Sequence, residues 1–235
     1  MNYFKKLIKS TFLYAKENEQ ISSIDLSIGR NLIIAPHPDD EVIGCFSVLE
    51  GSKKVDILLV TDGEGGILDK SKEETRRIRK SEFEAGISLF DVEHVFRKSL
   101  PDGRVPTAES IYSGIELSAY DKIFVPNPFD RHPDHIAVTQ SLLQLGSSHF
   151  SSEVLICFYE VWAPLPYINV VADISEKWTK KRDVIHQHQS QCMAIDYSRR
   201  ILGLNNYRGM IVHKKYVEAF LELTLDQSKR IFCES

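Results

Sequence analysis

Short apolar runs alternate along the chain with longer segments in which polar and apolar residues mix at helical spacing. Apolar runs of this kind, bounded by turn residues, are typical of buried strands. They predict strands at 31–36, 55–61, 94–97, 122–126, 154–161 and 168–172. The mixed segments predict helices at 40–51, 71–90, 107–118, 133–146, 175–191 and 214–226. Alternating strands and helices predict an α/β fold: a single Rossmann-like domain whose mostly parallel sheet carries helices on both faces.

The segment before this alternation has a different character. Residues 1–30 combine a few apolar side chains with lysines near the start, and they predict an N-terminal helical extension in front of the main domain, 31–235. The segment lacks the long apolar stretch and the small-residue cleavage site of a signal peptide. We expect the helix to pack on the domain, and the alternative is a weak contact with a membrane surface.

Length and composition narrow the classes of function. The chain has 235 residues, of which 43% are hydrophobic, enough for one α/β domain with a sizeable core. A net charge of −4 gives no basic footprint, so we expect no nucleic-acid partner. Four cysteines without CxxC spacing indicate free thiols in a reducing compartment. No apolar run approaches the roughly 18 residues of a membrane span. We therefore expect a cytoplasmic protein without a transmembrane segment, and its oligomeric state stays open.

Two clusters of histidine and acidic residues follow predicted strands. The first covers residues 37–41, after the strand at 31–36, and the second covers residues 130–135, after the strand at 122–126. The carboxyl ends of parallel strands line one edge of a sheet, so we expect the clusters to meet. Burying several carboxylates is costly unless a cation offsets their charge. Two nitrogens and one oxygen form the ligand set of a catalytic zinc site with an open position for water. The candidate ligands are His37, Asp40 and His135.

The two clusters also match motifs of a known family. His37-Pro-Asp-Asp-Glu41, together with His132-Pro-Asp-His135, resembles the PIG-L/LmbE-like zinc-dependent N-acetylglucosaminyl deacetylases. The resemblance extends from about residue 31 to the C-terminus. It includes further segments at 61–64, 79–89, 100–103, 181–191 and 216–220, the last of which resembles a closing helix of the family. The resemblance implies removal of an acetyl group from an N-acetylglucosamine unit carried on a larger molecule.

The clustered residues predict a division of labour in amide hydrolysis. Asp39 is adjacent to the ligand Asp40 and points elsewhere, so it is free to act as general base, the role that the resemblance also implies. His132 precedes His135 by three residues and would face the same way on a helix, so it is expected to donate to the developing oxyanion. Asp134 is expected to hold an imidazole in the required tautomer.

The remaining expectations concern the substrate and the metal. The resemblance implies that Arg79 and Asp102 grip sugar hydroxyls or nearby polar groups. The expected cofactor is one Zn²⁺, although such a ligand set also suits other divalent ions. The expected partner is a small N-acetylated amino sugar on a glycan, lipid or thiol-conjugate aglycone. Two alternatives stay open: a hydrolase of a different amide or ester with the same metal site, and a non-catalytic carbohydrate-binding relative. The roles of Glu41, His188 and the aromatic segment 158–164 are not assigned.

Overall fold

One sheet forms the centre of the structure, a computed structural model that describes residues 20–104 and 108–233. Its strands are β1 (Ser22–Ser23), β2 (Asn31–Ala35), β3 (Val55–Thr61), β4 (His94–Leu100), β5 (Lys122–Pro126), β6 (Leu155–Tyr159), β7 (Val170–Asp173) and β8 (Val217–Thr224). They lie in the order β1-β7-β8-β6-β5-β2-β3-β4. Neighbouring strands are parallel except where β8 pairs with β6 and β7. The predicted α/β class with a mostly parallel sheet is confirmed.

Helices cover both faces of this sheet. They are α1 (Asp40–Gly51), α2 (Lys72–Ile87), α3 (Ala108–Tyr112), α4 (Pro133–Gln144), α5 (Trp178–Ile185), α6 (Gln189–Cys192), α7 (Tyr197–Ile211) and α8 (Leu225–Phe232). Strand β2 shows why two layers form. Leu32 and Ile34 belong to one core with α4 and α8, and Ile33 and Ala35 belong to a second core with α1, α2, α5 and α7. A strand buried on both faces has a continuous apolar sequence, as this one does.

The two acidic clusters meet because of the strand order. Strand β2 pairs in parallel with β3 on one side and with β5 on the other, so the direction of winding reverses at β2. In open α/β sheets the loops diverge at such a point and leave a crevice at the carboxyl ends of the strands. Residues 37–41 follow β2 and residues 130–135 follow β5. Both clusters therefore open into one crevice.

The prediction of a helix at 214–226 is wrong. This segment forms β8 and the start of α8, and residues 216–220, expected to match a closing helix, lie mostly in the strand. The strand is buried almost throughout, and periodicity cannot separate such a strand from a buried helix. Glu218 and Glu222 are four residues apart and imitate the polar face of a helix. Instead, they pair with Lys181 and Lys122.

Other boundaries differ more modestly. The predicted helix 175–191 is two helices that break at His188, the helix predicted at 107–118 is the short α3, and α7 was not predicted. Of the predicted helical extension 1–30, residues 1–19 lie outside the described residues, and Ser22–Ser23 form a strand that pairs with β7. In the part of the chain that the structure describes, no helix is long and apolar enough to cross a membrane.

Candidate active site

The turn between β2 and α1 holds the first cluster. Helix α1 begins at Asp40, and Asp39 precedes it with φ of 130° and ψ of −28°. A non-glycine residue with positive φ is strained, and such strain persists only where surrounding contacts hold it. The Asp39 side chain makes no capping hydrogen bond to the helix. The carboxylate is therefore not used to begin the helix, and it lines the crevice instead.

Three ligand atoms form a nearly equilateral triangle at the centre of the crevice. Asp40 Oδ2 lies 3.3 Å from His37 Nδ1 and 3.1 Å from His135 Nε2, and the two nitrogens are 3.3 Å apart. All three residues are buried. Zinc bonds of about 2.0–2.1 Å in tetrahedral geometry place ligand atoms roughly 3.3–3.4 Å apart. The triangle, here called the metal triad, therefore has the dimensions for one divalent ion and leaves a fourth position open.

The second nitrogen of each imidazole in the triad faces a carboxylate. His37 Nε2 lies 3.0 Å from Asp134 Oδ2 and 3.2 Å from Asp102 Oδ1, and His135 Nδ1 lies 3.4 Å from Asp130 Oδ2. Carboxylates in this position orient the ring of a ligand histidine and fix its tautomer. Both candidate ligand histidines, His37 and His135, thus have the surroundings that metal-binding imidazoles usually have.

The electrostatics of the crevice favour positive charge. Burial lowers the pKa of His37, but its hydrogen bonds to Asp102, Asp134 and Asp40 outweigh burial and hold the pKa well above 6.5. Burial also lowers the pKa of His135, and the charge of Asp40 outweighs it, so that the pKa rises to about 9. Burial raises the pKa of Asp40, but the two imidazoles hold it well below its usual value. A divalent ion supplies the same positive charge while the imidazoles stay neutral, as ligands must be. The donor set fits a metal.

His132 lies at the start of α4 and lines the same crevice. Its Nδ1 accepts a hydrogen bond of 3.3 Å from the Asp134 amide and caps the helix, with Pro133 in the first turn. A ring whose Nδ1 accepts carries its proton on Nε2 when neutral. Burial, then the charges of His37 and His135, lower the pKa of His132. The neutral ring therefore keeps a donor on Nε2. One nitrogen of His132 also comes within 4.8 Å of ligand atoms on the two triad histidines.

Arg79 holds the turn that carries Asp39. Its guanidinium is buried, donates to Pro38 O at 2.6 Å and Gly63 O at 3.2 Å, and contacts Asp39 Oδ2 at 3.1 Å. Gly63 has φ of +61°, and a Cβ there would lie 2.0 Å from Arg79 Nη1, so the glycine makes this approach feasible. Burial raises the pKa of Asp39, Arg79 opposes it, and the pKa settles at about 7.

The two residues expected to grip the sugar are therefore engaged within the protein. Arg79 serves the turn at Pro38 and Asp39. Asp102 uses one oxygen on His37 and the other on the Gly65 amide, at 2.9 Å. Both still line the cavity, so a substrate contact by either remains a prediction.

Two further residues, Asp130 and Glu41, belong to the site, although the sequence analysis assigned them no role. Asp130 accepts hydrogen bonds from the His132 and Trp162 amides, besides facing His135. The position of Asp130 inside the second cluster, 130–135, could have indicated this role. Glu41 is fully buried and accepts a hydrogen bond from the Asp39 amide. Burial, then the charge of Asp39, raises the pKa of Glu41 to about 8.

A cavity of about 280 Å³ opens beside the triad. Its lining includes the polar groups of Gly65, Gly66 and Gln191. It also includes Trp162 and Tyr197, whose rings meet edge to face at 5.9 Å. Of the unassigned aromatic segment, Trp162 thus faces the cavity, whereas Tyr159 is buried and donates to the Ile34 carbonyl. The volume suits a single sugar ring.

The fold is an α/β fold, and at the switch point of its sheet lies a buried cluster of histidines and aspartates that could hold a metal ion. Residues 32–145 match the family model described as PIG-L: GlcNAc-PI de-N-acetylase. Residues 32–145 therefore carry a PIG-L family domain, as the two motifs indicated. None of the curated protein sequences is significantly similar to this chain.

Solved structures share the fold. An N,N'-diacetylchitobiose deacetylase from Pyrococcus horikoshii superposes with a TM-score of 0.74 at 21% identity, over 96% of this chain and 94% of that one. The conserved protein TT1542 from Thermus thermophilus has a TM-score of 0.68 at 23% identity, over 83% and 94%. GalB, a 4-carboxy-2-hydroxymuconate hydratase from Pseudomonas putida, has a TM-score of 0.65 at 14% identity, over 83% and 96%. Because a deacetylase and a hydratase share it, the fold alone does not decide the reaction.

Proposed function

We propose that this protein is a metal-dependent hydrolase that removes the N-acetyl group from an N-acetylglucosamine-type amino sugar attached to a larger aglycone. The observation that carries the proposal is the metal triad of His37, Asp40 and His135 with Asp39 in the same cavity. A binding protein needs a cavity, but it has no need of a carboxylate beside an open metal position. The family match of residues 32–145 and the similarity to a diacetylchitobiose deacetylase support the choice of an amide over other bonds.

In the proposed reaction, the chain positions the amide and moves one proton. His37, Asp40 and His135 would hold a divalent ion, which would supply Lewis-acid polarisation of the amide carbonyl and a water whose pKa is lowered to about 7. Asp39 takes a proton from the attacking water and returns it to the leaving nitrogen. His132 donates from Nε2 to the carbonyl oxygen as negative charge develops on it. Asp134 and Asp102 keep His37 in position through its Nε2, and Asp130 does so for His135.

The cavity supports a single amino-sugar ring as the part of the substrate that enters. Its volume of about 280 Å³ leaves the aglycone outside. Sugars present hydroxyls around a ring with an apolar face, and both kinds of surface are available here. Gly65, Gly66 and Gln191 offer polar groups, and Trp162 offers an aromatic face.

The test is acetate release from a panel of N-acetylglucosaminides, measured on zinc-loaded, chelator-treated and Asp39→Asn protein. We expect release by the zinc-loaded protein and loss after chelation. Asp39→Asn keeps the shape of the side chain but not the base, so its kcat should fall by about 10²–10⁴-fold with one metal equivalent retained. A zinc-loaded protein that binds the sugars without releasing acetate would contradict the proposal.

A further inference from the structure

The backbone of Asp39 is held from two sides. Its φ of 130° is unusual for a residue other than glycine, so contacts must maintain it. On one side, Arg79 Nη2 donates to the Pro38 carbonyl at 2.6 Å. On the other, the Asp39 amide donates to Glu41 Oε2 at 3.0 Å. The Asp39 carbonyl accepts from the amides of Val42 and Ile43 and so starts α1. The orientation of the Asp39 carboxylate thus depends on a clamp formed by Glu41 and Arg79.

Burying Glu41 at this position lowers the stability of the folded protein. It is fully buried, and its described hydrogen bond from outside its own helix comes from the Asp39 amide rather than from the metal triad. Its Oε1 faces His188 Nε2 at 3.7 Å, beyond hydrogen-bond distance. Burying a carboxylate whose second oxygen has no hydrogen-bond partner among the described residues disfavours folding. An apolar side chain would fill the same space at less cost, so stability does not account for a glutamate.

A role at the helix N-terminus does not account for it either. Acidic residues in the first turn stabilise a helix by a few tenths of a kcal/mol to about 1 kcal/mol at the surface. Asp40 already supplies negative charge there. The feature specific to Glu41 is an acceptor aimed at the strained Asp39 peptide.

We propose that Glu41 is a positioning residue, whose carboxylate oxygen holds the Asp39 peptide in its strained conformation and thereby aims the Asp39 carboxylate into the cavity. This inference rests on the proposed function in that it takes Asp39 as the general base. It assigns Glu41 no contact with substrate or metal. What matters is an oxygen acceptor at the Oε2 position.

The experiment compares two variants of the full chain. Glu41→Gln keeps an acceptor oxygen, whereas Glu41→Met keeps the length of the side chain without one. The first readout is hydrogen exchange of the Asp39 amide by NMR. We expect protection in the wild type and in Glu41→Gln, and exchange at least about tenfold faster in Glu41→Met. If Glu41→Met does not fold, Glu41→Asp takes its place, because it keeps the carboxyl group but is too short to reach the amide.

The second readout is kinetic, on zinc-loaded protein with metal content measured. We expect kcat of Glu41→Met to fall on the order of 100-fold, as misplacement of a reacting group by about 1 Å does, with KM within about 3-fold. Glu41→Gln should stay within about 5-fold of the wild type. In the Asp39→Asn background, Glu41→Met should lower kcat by less than about 3-fold, because residues that act through one another are not additive. A merely structural role would give additive losses.

The outcomes separate the two proposals. Equal protection of the Asp39 amide in wild type and Glu41→Met overturns the positioning role, and so does an equal loss of kcat in the Gln and Met variants. If the wild type releases no acetate from any sugar, the proposed function fails, and amide exchange still decides whether Glu41 holds Asp39.

Discussion

A buried aspartate lies beside a histidine at each end of the parallel strands: Asp40 at their carboxyl ends, here called the carboxyl edge, and Asp56 at their amino ends, the amino edge. The two groups differ in the cations that surround the aspartate. At the carboxyl edge, Asp40 contacts two imidazoles, and no described lysine or arginine lies within 4.0 Å of it. At the amino edge, Asp56 contacts His94 at 3.2 Å and Arg30 at 2.7 Å, and accepts from Tyr120 at 2.7 Å. The amino-edge group also includes Glu93, and its ligand atoms lie within 4.8 Å of one another.

The difference concerns where the positive charge comes from. Arg30 supplies it permanently at the amino edge, where it also contacts Glu93 at 3.2 Å. At the carboxyl edge the imidazoles supply it only when they are protonated, and the neighbouring carboxylates raise their pKa values. A guanidinium that already neutralises the carboxylates disfavours binding of a metal ion, whereas a metal ion can replace the protons on imidazoles. Proximity of His, Asp and Glu is thus a poor guide to a metal site by itself, and the better guide is that no described lysine or arginine pairs with Asp40, whereas Arg30 pairs with Asp56.

The largest expected effect separates the two edges by metal content. Asp40→Ala should reduce bound zinc from one equivalent to none and acetate release to background, because it removes one of three ligands. Asp56→Ala should retain one equivalent and the wild-type kcat. Metal analysis after dialysis, with activity assays, checks both. Loss of zinc in Asp56→Ala instead would reverse the comparison.

The next effect concerns Asp130, whose carboxylate faces the second ring nitrogen of His135. Asp130→Asn keeps acceptors for the His132 and Trp162 amides but removes the charge that faces His135. Zinc affinity should weaken by about 10–100-fold, as loss of such partners does. Competition with a chelator measures it. Asp56→Asn is the matched control at the other edge and should leave the affinity unchanged.

The amino edge should matter for stability instead. Asp56→Ala leaves Arg30 and the Tyr120 hydroxyl without their buried acceptor. The free energy of unfolding should fall by about 1–3 kcal/mol, since each unpaired buried group costs roughly that much. Urea denaturation of the metal-free protein measures it. An unchanged denaturation midpoint would show that this network does not stabilise the folded protein.

The last effect concerns His188, a buried histidine whose ring nitrogens have no hydrogen-bond partner among the described residues and whose Nε2 lies 3.7 Å from Glu41 Oε1. Burial lowers the pKa of His188 to about 3, so the folded state releases the proton that the unfolded state binds near 6.5. Stability from this group is complete above about pH 6.5 and is lost as pH falls toward 3. Between pH 7 and 5, wild type should lose about 2 kcal/mol relative to His188→Gln. Parallel stability curves for the two proteins would contradict this.

The sequence predicted what depends on neighbours along the chain. Each cluster directly follows an apolar strand, so their meeting at one edge followed from parallel topology. Strand β8 was missed because burial on both faces removes the alternation that identifies a strand. Lys181, on α5, buries its ammonium against Glu218 across the fold, and no local pattern announces such a pair.

The hydrogen bonds that Arg79 and Asp102 make within the protein could not be predicted from the sequence for the same reason. Arg79 bonds to residues 16 and 41 positions away, and Asp102 contacts His37 across 65 positions. The basic run around Arg79 resembles an exposed helix face, yet this side chain is buried. Partner identity at such distances depends on tertiary structure.

The most direct test is the position of the metal itself. Crystals of the zinc-loaded protein, measured at the zinc absorption edge, should give one anomalous peak about 2.0–2.2 Å from His37 Nδ1, His135 Nε2 and Asp40 Oδ2. A peak between His37, Asp102 and Asp134, or one among Asp56, Glu93 and His94, would contradict the assigned triad. So would the absence of any ordered zinc in this crevice at stoichiometric loading.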